Sequence, residues 1–190
     1  MPSAVILWST PSWRDPGDAE LDIVAQLLSS ERVSFLTWRL VDDLKIASRV
    51  WATQISHDLG SRFVIGASAS AGHTPGELVQ AIDQVLSGLR AKAPSGSQQR
   101  AAIVGYLIDR VFGLEQSIRR ADLFANCEEE EGRTQPCVDW WLNRYARIDP
   151  AKLTAVVARE LPLGRRVVVE VMPSAGAPIA GELRSSTGER

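Results

Sequence analysis

Residues 127–137 read CEEEEGRTQPC, so the chain's two cysteines, Cys127 and Cys137, bracket four consecutive carboxylates. Three chemistries are open to such a stretch: a metal site, a redox loop or a solvated turn. Soft thiolates beside hard carboxylates are a poorly matched donor set for any one common metal. Neither cysteine has the C-x-x-C spacing or the neighbouring histidine that would favour a reactive thiolate. Four adjacent glutamates repel one another and keep a turn open. A solvated turn is therefore the leading reading. A Cys127–Cys137 disulfide, useful only in an oxidising compartment, comes second and a metal site last.

The other candidates for chemistry are sparse. Zinc hydrolysis needs two histidines on one helical turn with a carboxylate, and the chain holds only His57 and His73, each near a turn glycine. Both read as solvated turn residues. No G-x-S-x-G elbow, phosphate-cradling loop or dinucleotide fingerprint is present. Carboxylates pair at Asp42-Asp43 and at Asp15/Asp18, in helix-start and surface contexts where they serve solvation and the helix dipole. No residue is assigned a catalytic or metal-ligand role, and no substrate-binding residue is identified.

The elements that would position these residues follow from periodicity. Ala4 to Trp8 is a short apolar strand closed by Pro11. Asp15-Pro16 offers a cap and a first-turn proline, with Leu21, Val24, Ala25 and Leu28 at helical spacing behind it. A second helix from Ser34 carries Leu36, Leu40 and Leu44 on one side. Residues 46–56 and 61–71 form a β-hairpin turning at His57-Asp58-Leu59-Gly60, with Trp51, Thr53 and Ile55 on one face. Thr74-Pro75-Gly76-Glu77 is a capping box ahead of Leu78, Ile82, Val85, Leu86 and Leu89. After a break at residues 93–97, one helix carries Ile103, Val104, Leu107, Val111 and Leu114, and another runs from about Gln116 to Cys127. Asp149-Pro150 repeats the cap before Leu153, Val156, Val157 and Leu161. Residues 165–172 form the last strand. Trp8 and Trp51 read as core, and one of the adjacent Trp140 and Trp141 must contact something beyond its own helix's core face.

Few, scattered strands and a hairpin exclude a sandwich and a purely parallel sheet. The expected fold is α+β, a two-layer domain with one mixed or antiparallel sheet packed on helices, over residues 1–173, with a disordered tail at 174–190. At 190 residues, 45% hydrophobic, 23% charged and with net charge −2, the chain suits one globular domain and has no electrostatic attraction to nucleic acid. No apolar run reaches the length of roughly 20 residues a membrane helix needs. Residues 1–13 do not read as a signal peptide, and a cytoplasmic or a periplasmic location stays open.

Several strings, in order, resemble the C-terminal half-domain of the insulinase/pitrilysin-type zinc metallopeptidases, a group that includes the mitochondrial processing peptidases. They are WSTPSWRDPGDAELDIVAQLL (8–28), LVDDLKIASRVWA (40–52), the segment 63–89 with its capping box, WLNRYAR (141–147) running on through Asp149-Pro150 to Arg159, and RVVVEVMP (166–173). The resemblance spans about residues 3 to 173. It implies two homologous α+β halves enclosing a chamber, with zinc held by an H-x-x-E-H motif in the partner half and no cofactor in this chain. The implied role is a non-catalytic wall for a peptide substrate. Many members carry an Arg and a Tyr near the helix-to-hairpin junction, and those positions fall on Val41 and Ser48 here. Arg39 or Arg49 would have to move to substitute. In register with the family, CEEEEGRTQPC falls on a short polar turn between two helices. Two other readings stand beside this one. A self-sufficient hydrolase requires Asp42, Asp43, His57 and Arg49 to converge in a pocket. An assembly module of the same fold requires a large apolar contact patch.

Overall fold

A strand over Ser3–Thr10 (β1) alternates buried and half-exposed residues, with Ala4, Ile6 and Trp8 on its inner side. This period of two is what a sheet covered on one face demands. The computed structural model describes residues 1–30, 34–131, 134–149 and 152–174. It adds β2 (Ala47–Ile55), β3 (Ser61–Ala69) and β4 (Val167–Val171) to β1 in one antiparallel sheet ordered β2-β3-β1-β4. Six α-helices accompany it: α1 (Asp18–Ser29), α2 (Pro75–Ala91), α3 (Gly96–Gly113), α4 (Ser117–Glu131), α5 (Thr134–Ala146) and α6 (Leu153–Glu160). The expected α+β two-layer fold is present, with all its strand pairings antiparallel.

The core lies between one sheet face and the helices. Ile6 and Trp8 of β1 and Phe63 and Ile65 of β3 share it with Leu21, Val24 and Leu28 of α1 and with Leu78, Ile82 and Leu86 of α2. Each such side chain contributes about 1.5–3 kcal/mol on burial. Trp8 also donates its indole N–H to the Pro162 carbonyl at 2.9 Å, pinning β1 to the approach of β4. The α2 capping box forms as read, Glu77 N–H donating to Thr74 Oγ1 at 3.3 Å and Thr74 N–H to Glu77 Oε2 at 2.7 Å.

Several expectations are corrected. The first helix starts at Asp18, capped by Gly17 at φ 111°, a left-handed value that suits glycine. Asp15 instead accepts Ser12 N–H and Oγ and closes the turn ahead of the helix. The second helix winds as a π-helix over Thr37–Asp43, with Leu44 N–H donating to the Arg39 carbonyl five residues back. That wider turn leaves Leu36 and Leu40 buried but rotates Leu44 off their face to 37% exposure. Trp51 is not core. It is 38% exposed on the uncovered sheet face and lies over Gly66, its cross-strand partner, so closely that a Cβ there would stand 2.3 Å from the ring.

The stretch 127–137 is no long turn. Cys127 to Glu131 complete α4, and α5 begins at Thr134. Carboxylates at a helix C-terminus oppose the macrodipole, which is why charge alone argued for a turn. Cys127 is fully buried and disulfide-bonded, and the chain's one other cysteine is Cys137. The second reading of this stretch, the disulfide, replaces the first. Trp140, 41% exposed, packs edge-on against Trp13 with centroids 5.2 Å apart, the contact outside its own helix that the sequence required. The last helix is counted from Leu153, behind a turn in which Lys152 N–H donates to the Asp149 carbonyl. Pro150 and the expected tail from residue 175 onward lie outside the described residues. Among the described residues no helix is long and apolar enough to cross a membrane.

Candidate functional site

Asp18 and Asp22 lie one helical turn apart on α1, so both side chains leave the same face. Asp18 was read as a solvated dipole partner. It is 1% exposed, and it accepts from Gln54 Nε2 at 2.8 Å, Ser56 Oγ at 2.7 Å and Arg144 Nη2 at 2.8 Å. The hairpin supplies two of these donors and α5 the third. Asp22, 7% exposed, accepts from Tyr145 OH at 2.8 Å, and Tyr106 OH lies 3.1 Å from the same oxygen and 3.0 Å from Tyr145 OH. Both tyrosines of the chain are in this one network.

A cavity of about 640 Å³ opens over these groups. Trp13, His57 and Asp58 form its hairpin side, Arg110 and Leu114 its α3 side, and Arg119, Asp122, Leu123 and Cys127 its α4 side. Trp13 is tied to the hairpin by its N–H to the His57 carbonyl at 3.2 Å. The Arg144 guanidinium lies 5.8 Å from the Trp13 centroid and 5.2 Å from that of Trp140, while Arg110 stacks over Tyr106 at 5.0 Å. Such cation–π contacts hold the arginines across aromatic faces.

Burial pushes the Asp22 carboxyl up to about 6, with the nearby Asp18 charge adding to the rise. The Tyr145 hydroxyl and the Arg110 charge oppose it. Desolvation and the Asp22 charge push both phenols above the usual tyrosine range. Near neutrality the site can therefore exchange a proton at Asp22, while the tyrosines stay hydrogen-bond donors. Asp18 and Arg144, 2.8 Å apart, form a buried ion pair that fixes α1 to α5.

The residues that could have made a hydrolase do not converge. Asp43 pairs with Arg39 beside the π-helix, and the whole of β2 separates it from His57 at the hairpin turn. His57 Nε2 meets Arg62 at 3.3 Å, and His73 faces Glu77 at 3.5 Å on a different turn. Among the described residues, no group of three or more His, Cys, Asp or Glu side chains is placed to hold a metal ion. Sequence reasoning missed Asp22, Tyr106, Tyr145, Arg110 and Arg144. The available signal was two carboxylates at i and i+4 beside buried Leu21 and Ala25.

A family model described as the peptidase M16 inactive domain matches residues 1–102. The chain belongs to that family. The match covers β1 through the first turns of α3, so it includes Asp18 and Asp22 and stops before Tyr106. Solved structures extend the likeness in fold. A protease from Helicobacter pylori superposes with a TM-score of 0.80 at 19% identity, over 90% of this chain and 41% of that one. The inactive peptidase domain of a candidate zinc protease from Bordetella parapertussis gives 0.80 at 16% identity, over 92% of this chain and 94% of that one. A chain of complex III2 from Candida albicans gives 0.75 at 11% identity, over 89% of this chain and 42% of that one. No curated protein matches the chain. The inactive domain thus spans about two fifths of the Helicobacter chain.

Within the inactive domain, Val41 sits half-buried in the π-helix and Ser48 is exposed at the start of β2, where the register with β3 shifts. Ser48 Oγ donates to the Ser68 carbonyl at 3.3 Å. Arg39, the nearest guanidinium to Val41 along the helix, is engaged with Asp43 and lies 3.5 Å from Gln84 Oε1. The two positions at which the resemblance places an Arg and a Tyr therefore offer an alkyl group and a small hydroxyl.

Proposed function

We propose that this inactive domain is the non-catalytic, chamber-forming half of a zinc metallopeptidase and works with a catalytic half that bears H-x-x-E-H. The observation that carries the reading is the uncovered face of the sheet. Helices cover one face, and the other presents Val5 and Leu7 of β1, Val64 of β3 and Trp51 of β2. On β4 that face continues through Val167, Val169 and Val171, which are 60%, 44% and 48% exposed. An apolar face of this extent on an isolated domain marks a surface meant to be covered.

This chain's contribution is to bind and enclose. The apolar face takes up the side chains of an extended peptide and excludes water from one side of it. Unpaired edges at β2 and β4 can receive another strand through main-chain hydrogen bonds. His57 and His73, on separate turns with other partners, do not form a zinc site, so metal is assigned to the partner half. Bound there, zinc would supply a hydroxide nucleophile and polarise the scissile carbonyl. The test is reconstitution of the purified chain with a half that carries H-x-x-E-H. Peptide cleavage that needs both chains supports the reading. A tight complex in which this chain adds nothing to cleavage would leave an assembly module in its place.

A further inference from the structure

The cavity above Asp22 is not explained by the chamber reading, because it lies on the helix-covered side of the sheet, opposite the open apolar face. We propose that this cavity binds a peptide carboxylate, either a free C-terminus or an acidic side chain. The inference stands on its own geometry and needs no catalytic partner.

The first support is an orphaned donor. Trp13 lines the cavity, and its indole N–H is buried with no acceptor. Leaving such a donor unmet costs about 1–3 kcal/mol, which a ligand oxygen would recover. The second is the supply of cations. Arg144 is committed to Asp18 at 2.8 Å. Arg119 bonds only a neutral acceptor, Gln116 Oε1 at 3.0 Å. Arg110 rests on the Tyr106 ring beside Asp22. These two guanidiniums come from consecutive helices, α3 and α4, across the short turn at Gly113 and Leu114, and both line the cavity. A planar fork of donors matches a carboxylate in two parallel hydrogen bonds.

The rest of the wall narrows the class. Asp58 and Asp122 also line the cavity, which disfavours a doubly charged group such as a phosphate and provides acceptors for peptide N–H groups. Leu114 and Leu123 offer apolar contact for a side chain. At about 640 Å³ the space exceeds a lone carboxylate and falls in the range of sites for small peptides and drug-sized ligands.

The test follows the indole N–H signals of the 15N-labelled protein by NMR, with Trp13→Phe assigning the Trp13 resonance. The probes are N-acetyl-Leu-Leu with a free carboxylate, its C-terminal amide, and N-acetyl-Leu-Glu-Leu-amide. The expected result is a saturable shift of the Trp13 signal with a carboxylate probe and none with N-acetyl-Leu-Leu-amide. Whichever carboxylate probe binds more tightly identifies a chain terminus or a side chain as the source. Arg119→Ala, at an exposed position that does not threaten folding, should weaken binding about tenfold, while Arg165→Ala on the distant α6–β4 connection leaves it unchanged. No movement of the Trp13 signal with either carboxylate at about 10 mM would overturn the proposal. Equal binding of the amide, or full affinity in Arg119→Ala, would overturn it too.

Discussion

Asp22 shows how far one residue can be placed by groups distant in sequence. Its hydrogen-bond partners Tyr106 and Tyr145 lie 84 and 123 positions away, so no local pattern could announce them. Its apolar neighbours Leu21, Val24 and Leu28 were legible because a 3.6-residue period is a one-dimensional signal. The folded-state value for Asp22, about 6, stands above the unfolded 3.8. Protonation is thus favoured in the fold, and this stability is fully present below about pH 4 and lost as pH rises through about 6. Asp22→Asn should remove that dependence. Denaturation of both proteins across this window should show a difference on the order of 2–3 kcal/mol developing between its ends. Parallel curves would contradict the burial account. Arg144→Ala, which strands the buried Asp18 carboxylate, should cost about 3 kcal/mol or more, read as a fall in the denaturation midpoint.

At the scale of elements, the hairpin and both capping boxes were legible because turn and cap chemistry is local, as Thr74 with Glu77 and Ser95 with Gln98 show. The side of the hairpin that faces the core was not legible. Trp51, Thr53 and Ile55 share one face, but only packing decides that α1 covers Val50, Ala52 and Gln54 instead. Gly66 records the outcome, since the Trp51 ring occupies the space of its absent Cβ. Gly66→Ala should displace that indole, shift tryptophan fluorescence and cost about 1–3 kcal/mol. In Trp51→Ala the same substitution should cost little, and additive costs would show that the ring is not what glycine accommodates. The α4–α5 pair misled for an electrostatic reason: Glu128 to Glu131 sit at a helix end that disfavours them. Cys127 should resist alkylation in the folded, oxidised protein and react only after reduction and unfolding, as mass measurement would show. Modification without reductant would refute the disulfide.

For the molecule as a whole, order and spacing of short strings carried the family assignment, although no one string is unique. The absence of H-x-x-E-H from the sequence separates wall from catalyst more sharply than any structural contact does. The cavity on the helix side was illegible, because it depends on α1, α3, α4, α5 and the hairpin turn meeting at one point. The open sheet face tells the same story in reverse: its valines read as an ordinary strand until the fold leaves them uncovered. The most direct measurement of the central claim is metal content and peptidase activity of the purified chain, alone and mixed with a half that carries H-x-x-E-H. The account predicts no stoichiometric zinc and no cleavage for the chain alone, and cleavage that requires both chains when they are combined. Stoichiometric zinc in the chain alone, with peptidase activity abolished by a chelator, would contradict it.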